Sequence, residues 1–290
     1  MPLITERARA KVNLTLKVLG RRADGYHELE SLVAFAYTAD IITLDVKDGP
    51  VGVLVGGPFG RSIASENLVR VTLDRLAELE PRLRLGAVTL DKHLPVAAGI
   101  GGGSSDAAAV LRAVKKVNPG LADSIDWLAI AAKIGADVPV CFHNGPAMMR
   151  GTGEQLQPIN SFPLLAIVLV NPQVPVPPDK TARVFRTLGA KPLDALLAKP
   201  ACYAFETRAK LLTFMIATGN DLLNPALDVV PEFGVVIDAL KACGGVELVA
   251  LSGGGPTCFA VFPDEASSQA AEESLRAHHP TWWITATTLY

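Results

Sequence analysis

The sequence has few of the residues that mark metal, redox or nucleic-acid proteins. Its 290 residues hold four cysteines, Cys141, Cys202, Cys243 and Cys258, far apart and without a C-x-x-C pair. That excludes a zinc ribbon or a thiol–disulfide motif and predicts buried, reduced thiols. The five histidines, His27, His93, His143, His278 and His279, show no H-E-x-x-H or comparable spacing, so no metal held by the protein itself is expected. Positive charge is not in excess: 27 Lys and Arg against 29 Asp and Glu give a net charge of −2 and a pI near 6.2, without the basic footprint of a nucleic-acid surface. Long apolar runs are missing too. The longest, Phe162–Val170, is broken by Pro163 and falls far short of the roughly 18 residues a membrane helix needs. The opening MPLITERARAK puts charges where a secretory signal needs an apolar core, which predicts a cytoplasmic protein. The expected partners are small molecules, with no nucleic acid and no membrane.

Glycine, by contrast, is concentrated. In Pro95–Ala109, PVAAGIGGGSSDAAA, the glycines Gly99, Gly101, Gly102 and Gly103 crowd together. They leave backbone N–H groups uncovered by any Cβ and free to take positive φ, so several can converge on one anion. A helix is predicted behind them, capped by Ser104 or Ser105, with Asp106 in its first turn. Ala107, Val110, Leu111, Val114 and Val117 recur at helical spacing until Pro119-Gly120. The positive end of the helix dipole would face the anion. The ordinary alternative is a flexible turn before a plain helix. A Walker loop is excluded, because no lysine follows the glycines. A dinucleotide turn, approximated by Gly99–Ser104, should follow its strand directly, whereas Asp91–Ala98 separates the glycines from the predicted strand Leu85–Leu90.

The remaining patterns are those of an α+β chain of two domains, 1–160 and 161–290, at about 150 residues each. Apolar and polar residues alternate from Ile4 to Leu19, predicting one half-buried strand whose polar face, with Lys11 and Asn13, is either solvated or lines a site. Asp24-Gly25 marks a tight turn. Tyr26 and His27 after it either pack a core edge or stack on and hydrogen-bond a flat heterocycle. Strands are predicted at Leu29–Tyr37 and Ile41–Val46, then a patternless connection over Gly49–Gly60, then a helix over Glu66–Leu79 capped by Ser65. A helix over Asp123–Ile134 stops at Gly135. Asp137 follows inside the apolar Ala136–Val140, where a lone carboxylate needs a partner or a task. Beyond a turn at Gly151–Glu154 and a buried strand over Leu164–Val170, helices are predicted at Thr181–Leu188, Glu206–Thr218, Pro231–Cys243 and Glu265–Ala277. Strands are predicted at Glu247–Leu251, Cys258–Phe262 and Trp283–Thr288, with Ser252–Pro256, SGGGP, joining the first pair. That order predicts a ferredoxin-like α/β sandwich.

Three features in sequence, the basic N-terminal strand, the P-x-x-x-G-[IL]-G-G-G-S-S loop and the late SGGGPT turn, together resemble the GHMP kinase superfamily across the whole chain. The stretches AKVNLTLKVLGRRADGYHELES and GADVPVCF are similar to one branch of it, which acts in isoprenoid biosynthesis. The resemblance implies a two-domain GHMP kinase fold, ATP with the Mg2+ it carries, and phosphorylation of the 2-hydroxyl of a cytidine diphosphate-linked methylerythritol. It also implies that Pro95, Val96, Ala97, Ala98, Gly99, Ile100, Gly101, Gly102, Gly103, Ser104 and Ser105 wrap the ATP phosphates, with Asn67 near the nucleotide. Asp137 is then the catalytic base, with Lys11 beside it positioning hydroxyl and phosphate. Asn13, Tyr26 and His27 fall on the substrate side, and Phe185 supplies a second aromatic against the cytosine. The chain departs from the family at Ile100, commonly leucine, and at Gly254, often serine. Phosphoryl transfer to an alcohol needs phosphate charge neutralised, a hydroxyl held in line and a proton acceptor, which backbone amides, Lys11 and Asp137 can supply. Two other readings stay open: a GHMP-type kinase of homoserine or a mevalonate-like alcohol, and a nicotinamide-dependent oxidoreductase.

Overall fold

The computed structural model describes residues 3–46, 51–63, 67–193 and 203–290. In chain order its elements are β1 (Leu3–Asn13), β2 (Lys17–Arg21), β3 (His27–Asp45), β4 (Gly52–Gly56), α1 (Leu68–Leu79), β5 (Ala87–Asp91), α2 (Gly102–Val117), α3 (Trp127–Ile134), α4 (Val138–His143), β6 (Ala147–Gly151), β7 (Gln155–Pro158), β8 (Leu165–Asn171), α5 (Lys180–Leu188), α6 (Arg208–Thr218), α7 (Leu223–Val229), α8 (Glu232–Lys241), β9 (Leu248–Leu251), β10 (Cys258–Phe262), α9 (Glu265–His278) and β11 (Trp283–Leu289). The chain groups into two compact units built from separated segments. The first takes Met1–Lys11, Thr38–Val96 and Gly101–Asn144, and the second takes Val12–Tyr37, Ala97–Ile100 and Gly145–Tyr290.

Several predicted boundaries shift, each for a local reason. The alternating Ile4–Leu19 is two strands, because the chain turns aside at Leu14–Leu16. There the Leu14 N–H donates to Leu32 O and the Leu16 N–H to Gly219 O. Leu29–Val46 is covered by one long strand rather than two, since nothing in Thr38–Asp40 breaks it. The patternless connection contains β4, whose Leu54 is 68% exposed, so no apolar alternation announces it. Ser65 and Glu66 lie outside the described residues, as does Cys202. α1 is capped by Asn67, whose side-chain oxygen accepts the N–H groups of Val69 and Arg70. α2 starts at Gly102 rather than behind Ser104, because Gly101 in the left-handed region (φ 66) caps it and Ser105 turns inward to donate to Arg9 O. α3 starts after Asp126, whose carboxylate accepts the Ala129 N–H, and not at Asp123. The short α4 and α7 were not predicted, being too brief to show a period. The expected turn at Gly151–Glu154 joins the hairpin β6–β7.

In the first unit β5 runs parallel to β4 and antiparallel to Ile41–Asp45 of β3. Helix α2 packs against α1, α3 and α4, and its Ala107, Ala108, Ala109 and Ala113 are wholly buried. Side chains that small let helix axes approach closely. In the second unit the strands lie in the order β11-β8-β10-β9, all antiparallel. With helices between β8 and β9 and between β10 and β11 this is the ferredoxin-like sandwich. β8 is buried along its whole length, which is why its sequence is an unbroken apolar run. Phe233, Val236 and Leu240 of α8 pack with Phe262 and Ile284 in this unit's core. Among the described residues no helix is long and apolar enough to cross a membrane.

A buried charge cluster fixes α2 to the sheet of the first unit. Lys92, just past β5, is 2% exposed, and its ammonium donates to Asp40 of β3 at 2.5 Å and to Asp106 at 2.6 Å; because α2 starts at Gly102, Asp106 lies in its second turn and not, as expected, in its first. The other Asp40 oxygen accepts the N–H groups of His93 and Leu94 at 2.6 and 2.7 Å. Two carboxylates face one ammonium, which leaves the cluster with a surplus negative charge. Burial, with the Asp40 charge adding to it, outweighs the opposing pull of Lys92 and raises the Asp106 carboxyl from 3.8 to about 8. Removing one partner of such a buried pair costs about 3–5 kcal/mol.

The sign of the pH dependence follows. Asp106 binds its proton in the native state up to about pH 8 but releases it near 3.8 when unfolded, so stability falls as pH rises through that window. Asp106→Asn carries the neutral form permanently. Thermal unfolding of this variant should show a shallower loss of Tm between about pH 5 and pH 8 than the wild type.

Candidate active site

Within the first unit the fold gathers Lys11, Asp137 and the start of α2. The polar face of β1 is not solvated here: Lys11 is 4% exposed. Its ammonium donates to Asp137 Oδ2 at 2.8 Å across 126 positions of sequence. Asp137 precedes α4, which has Pro139 in its first turn, and the carboxylate makes no capping bond. It is therefore left for Lys11, and its side chain keeps 37% of its surface open. Gly101 lies directly over the lysine. A Cβ there would sit 3.1 Å from Lys11 Cβ and 3.3 Å from Cε, so glycine is required for clearance as well as for the left-handed turn. The N–H groups of Gly102, Gly103 and Ser104 open α2 and have no intrahelical acceptor, whereas that of Ser105 donates to Gly101 O at 2.8 Å. Together they form a half-open row of donors at a positive helix end.

The neighbouring residues of this unit are placed as follows. Pro95 is buried and Val96 is exposed. Asn67 commits its oxygen to capping α1, and Leu68, the next residue, lies 3.5 Å from where a Cβ on Gly103 would be. The Ser105 hydroxyl donates to Arg9 O at 2.7 Å and also contacts Cys141 Sγ at 3.3 Å. Burial first, then the Asp137 charge, pushes the Cys141 thiol up to about 12, which leaves it a packing residue. Among the described residues no three His, Cys, Asp or Glu side chains gather as a metal site.

The middle of the glycine stretch belongs to the second unit, where the SGGGPT turn supports it. Ala98 O accepts both the Thr257 N–H at 3.2 Å and its hydroxyl at 2.7 Å. Gly99 O accepts the Ser252 hydroxyl at 3.1 Å. A Cβ on Gly99 would sit 2.4 Å from Gly255 O. Ile100 is wholly buried, and Ala97 takes a positive φ of 54. Asn13 is 7% exposed and doubly tied, its N–H donating to Ser252 Oγ at 3.1 Å and its side-chain amide to Ser31 Oγ at 2.7 Å.

A cavity of about 810 Å³ in the second unit contains Tyr26, His27 and Phe185, with Arg21, Asp179 and Arg186 on its walls. Tyr26 is 66% exposed. The His27 ring stacks on Phe185, centroids 4.6 Å apart and planes 20° from parallel. That spacing is direct ring contact with no room for a third ring between them, so each of these two rings has one face covered by the other, while Tyr26 stands open to solvent. Arg21 stands opposite His27 in the β2–β3 register. Burial, then the Arg21 charge, lowers the His27 pKa below 6.5, so the imidazole is neutral at pH 7 and offers one donor and one acceptor.

Sequence reasoning missed four contributors. Asp40 had a readable signal, an acid inside an apolar strand, as Asp137 did. Ser252 and Thr257 flank a glycine turn that had been given no side-chain role. Lys180 carried no signal at all.

The family described as GHMP kinases N terminal domain matches residues 67–145, and GHMP kinases C terminal matches residues 199–281. The 4-diphosphocytidyl-2-C-methyl-D-erythritol kinase of Rhodopseudomonas palustris is 46% identical, over 99% of this chain and 97% of its own. That of Methylobacterium radiotolerans is 48% identical over the full length of both. A crystal structure of a 4-(cytidine 5'-diphospho)-2C-methyl-D-erythritol kinase superposes with a TM-score of 0.76 at 32% identity, covering 99% of each chain. The chain therefore belongs to the GHMP kinases, in the branch of the 4-diphosphocytidyl-2-C-methyl-D-erythritol kinases.

Proposed function

We propose that this chain transfers the γ-phosphoryl group of ATP to the 2-hydroxyl of 4-diphosphocytidyl-2-C-methyl-D-erythritol in the cytoplasm. The observation that carries the reading is the Lys11–Asp137 pair beside the open start of α2. Lys11 engages Asp137 Oδ2, so Oδ1 is the oxygen that takes the hydroxyl proton. The same ammonium sits where it can hold the hydroxyl and the γ-phosphate in line. The backbone of Pro95–Ser105 cradles the phosphates without a Walker lysine, and Asn67 borders the nucleotide by fixing the start of α1. Mg2+ arrives with ATP and supplies charge neutralisation there. The division into a catalytic domain, 1–160, and a substrate-completing domain, 161–290, is supported by family matches that fall on either side of it.

On the substrate side, Tyr26 and Phe185 offer π-faces, a neutral His27 reads the base edge, and Asn13 is the further substrate-side residue, held by Ser252 and Ser31. Stacking contributes about 1–3 kcal/mol per base but does not choose among bases. Cytosine presents an amino donor and a ring-nitrogen acceptor where uracil presents the reverse, so a mismatch leaves buried groups unpaired. For the base to meet the Phe185 face that His27 covers, His27 must first swing off it.

Asp137→Asn should lower kcat by about 10² to 10⁴ with ATP affinity nearly unchanged. Steady-state kinetics with the diphosphocytidyl substrate checks this, and near-normal turnover would make Asp137 a structural acid. The uridine analogue should be a poor substrate, and His27→Ala should narrow the cytidine-to-uridine ratio of kcat/KM. Because the His27 pKa is already lowered, the substrate KM should stay flat between about pH 7 and pH 8 and rise only as pH falls below about 6.5. Equal kcat/KM for both analogues would remove the base-reading assignment.

A further inference from the structure

Lys180 is a buried cation that the proposed chemistry does not use. It opens α5 and is 8% exposed. Its ammonium donates to Gly254 O at 2.9 Å and to Gly255 O at shorter range. Leu222 and Val184 line the same Gly254 position that the ammonium approaches. Burial alone lowers its pKa from 10.5 to about 8, with no carboxylate opposing the shift. Holding an ammonium out of water without a counter-charge is unfavourable, and an apolar side chain of the same length would fill the space without that penalty.

What the lysine does is fix a carbonyl. Gly255 O lies between the Lys180 ammonium on one side and Gly99 on the other, where a single added Cβ would approach it to 2.4 Å. The same turn grips the glycine stretch at two further points, through Ser252 to Gly99 O and Thr257 to Ala98 O. From this geometry we infer that Lys180 is a positioning residue for nucleotide binding: by orienting the Gly254 and Gly255 carbonyls it sets the path of Ala98 and Gly99, and so the placement of the phosphate-binding amides that follow in the chain. The inference rests on the reading of Pro95–Ser105 as the nucleotide loop.

Its signature is a split between stability and affinity. Lys180→Met keeps the length and removes the buried charge, so Tm should hold or rise, while the Kd for Mg-ATP, measured by calorimetry without the second substrate, should increase about tenfold or more. pH supplies the second readout. Of the charged groups beside Lys180 on α5 and at its start, Asp179 pairs with Arg183, and Arg186 lines the cavity. As the amine loses its proton, charge-assisted bonds to the two carbonyls weaken, so ATP affinity should decline between about pH 7 and pH 9 in an Asp106→Asn background, which removes the α2 carboxyl that titrates in the same window, and Lys180→Met in that background should be flat. A folded Met variant with wild-type Kd overturns the inference, as does a loss of affinity matched by a fall in Tm. Should the Met variant not fold, the Asp106→Asn protein with Lys180 intact decides: a flat profile overturns the inference and a declining one upholds it. A wild type that binds no ATP would instead refute the loop assignment itself.

Discussion

Two β-carbons that are absent govern the geometry of the candidate site. At Gly101 a Cβ would press on Lys11, and at Gly99 it would press on the carbonyl of Gly255. Each glycine therefore lets a different partner approach the loop. Under Gly101 the approach brings an ammonium, already paired with Asp137, against the first turn of α2. At Gly99 it brings the backbone of a second glycine turn. The loop is shaped by what packs beneath it, which is what the proposed holding of phosphates by backbone alone requires.

Around this constraint the protein tolerates an unusual number of buried charges. Asp40 and Asp106 compensate Lys92 through direct hydrogen bonds, and the raised Asp106 pKa relieves the surplus negative charge below about pH 8. Lys11 is nearly as buried but leans on a carboxylate that remains open to solvent. Lys180 has carbonyls only. Read as a series, these lysines run from fully compensated to uncompensated, and the cost of burial rises along it. The first is a fastening of helix to sheet, and the last lies where a turn must be held in one orientation.

Much of this was legible in the residues. The four crowded glycines, the run of alanine and valine behind them and the apolar setting of Asp137 pointed to a loop, a helix and an acid with a purpose, because each is a local pattern with a local cause. β8, the later strands and the later helices other than α7 followed from apolar runs and from Pro and Gly at their ends, and their order pointed to the ferredoxin-like sandwich. Boundaries were less legible where long-range bonds decide them. Leu14–Leu16 is turned aside by partners at Leu32 and Gly219, and no property of ARAKVNLTLKV reports that.

The sequence by itself determined which backbone could bare its amides and which side chains could carry charge, since these depend on residue type and near spacing alone. Only the tertiary structure decided the partners. Lys11 meets Asp137 across 126 positions, His27 lies on Phe185, and Lys180 reaches a turn 74 and 75 residues away. Contacts at such separations are set by how strands and helices pack as whole elements, and a chain pattern that repeats every two or every 3.6 residues holds no information about them.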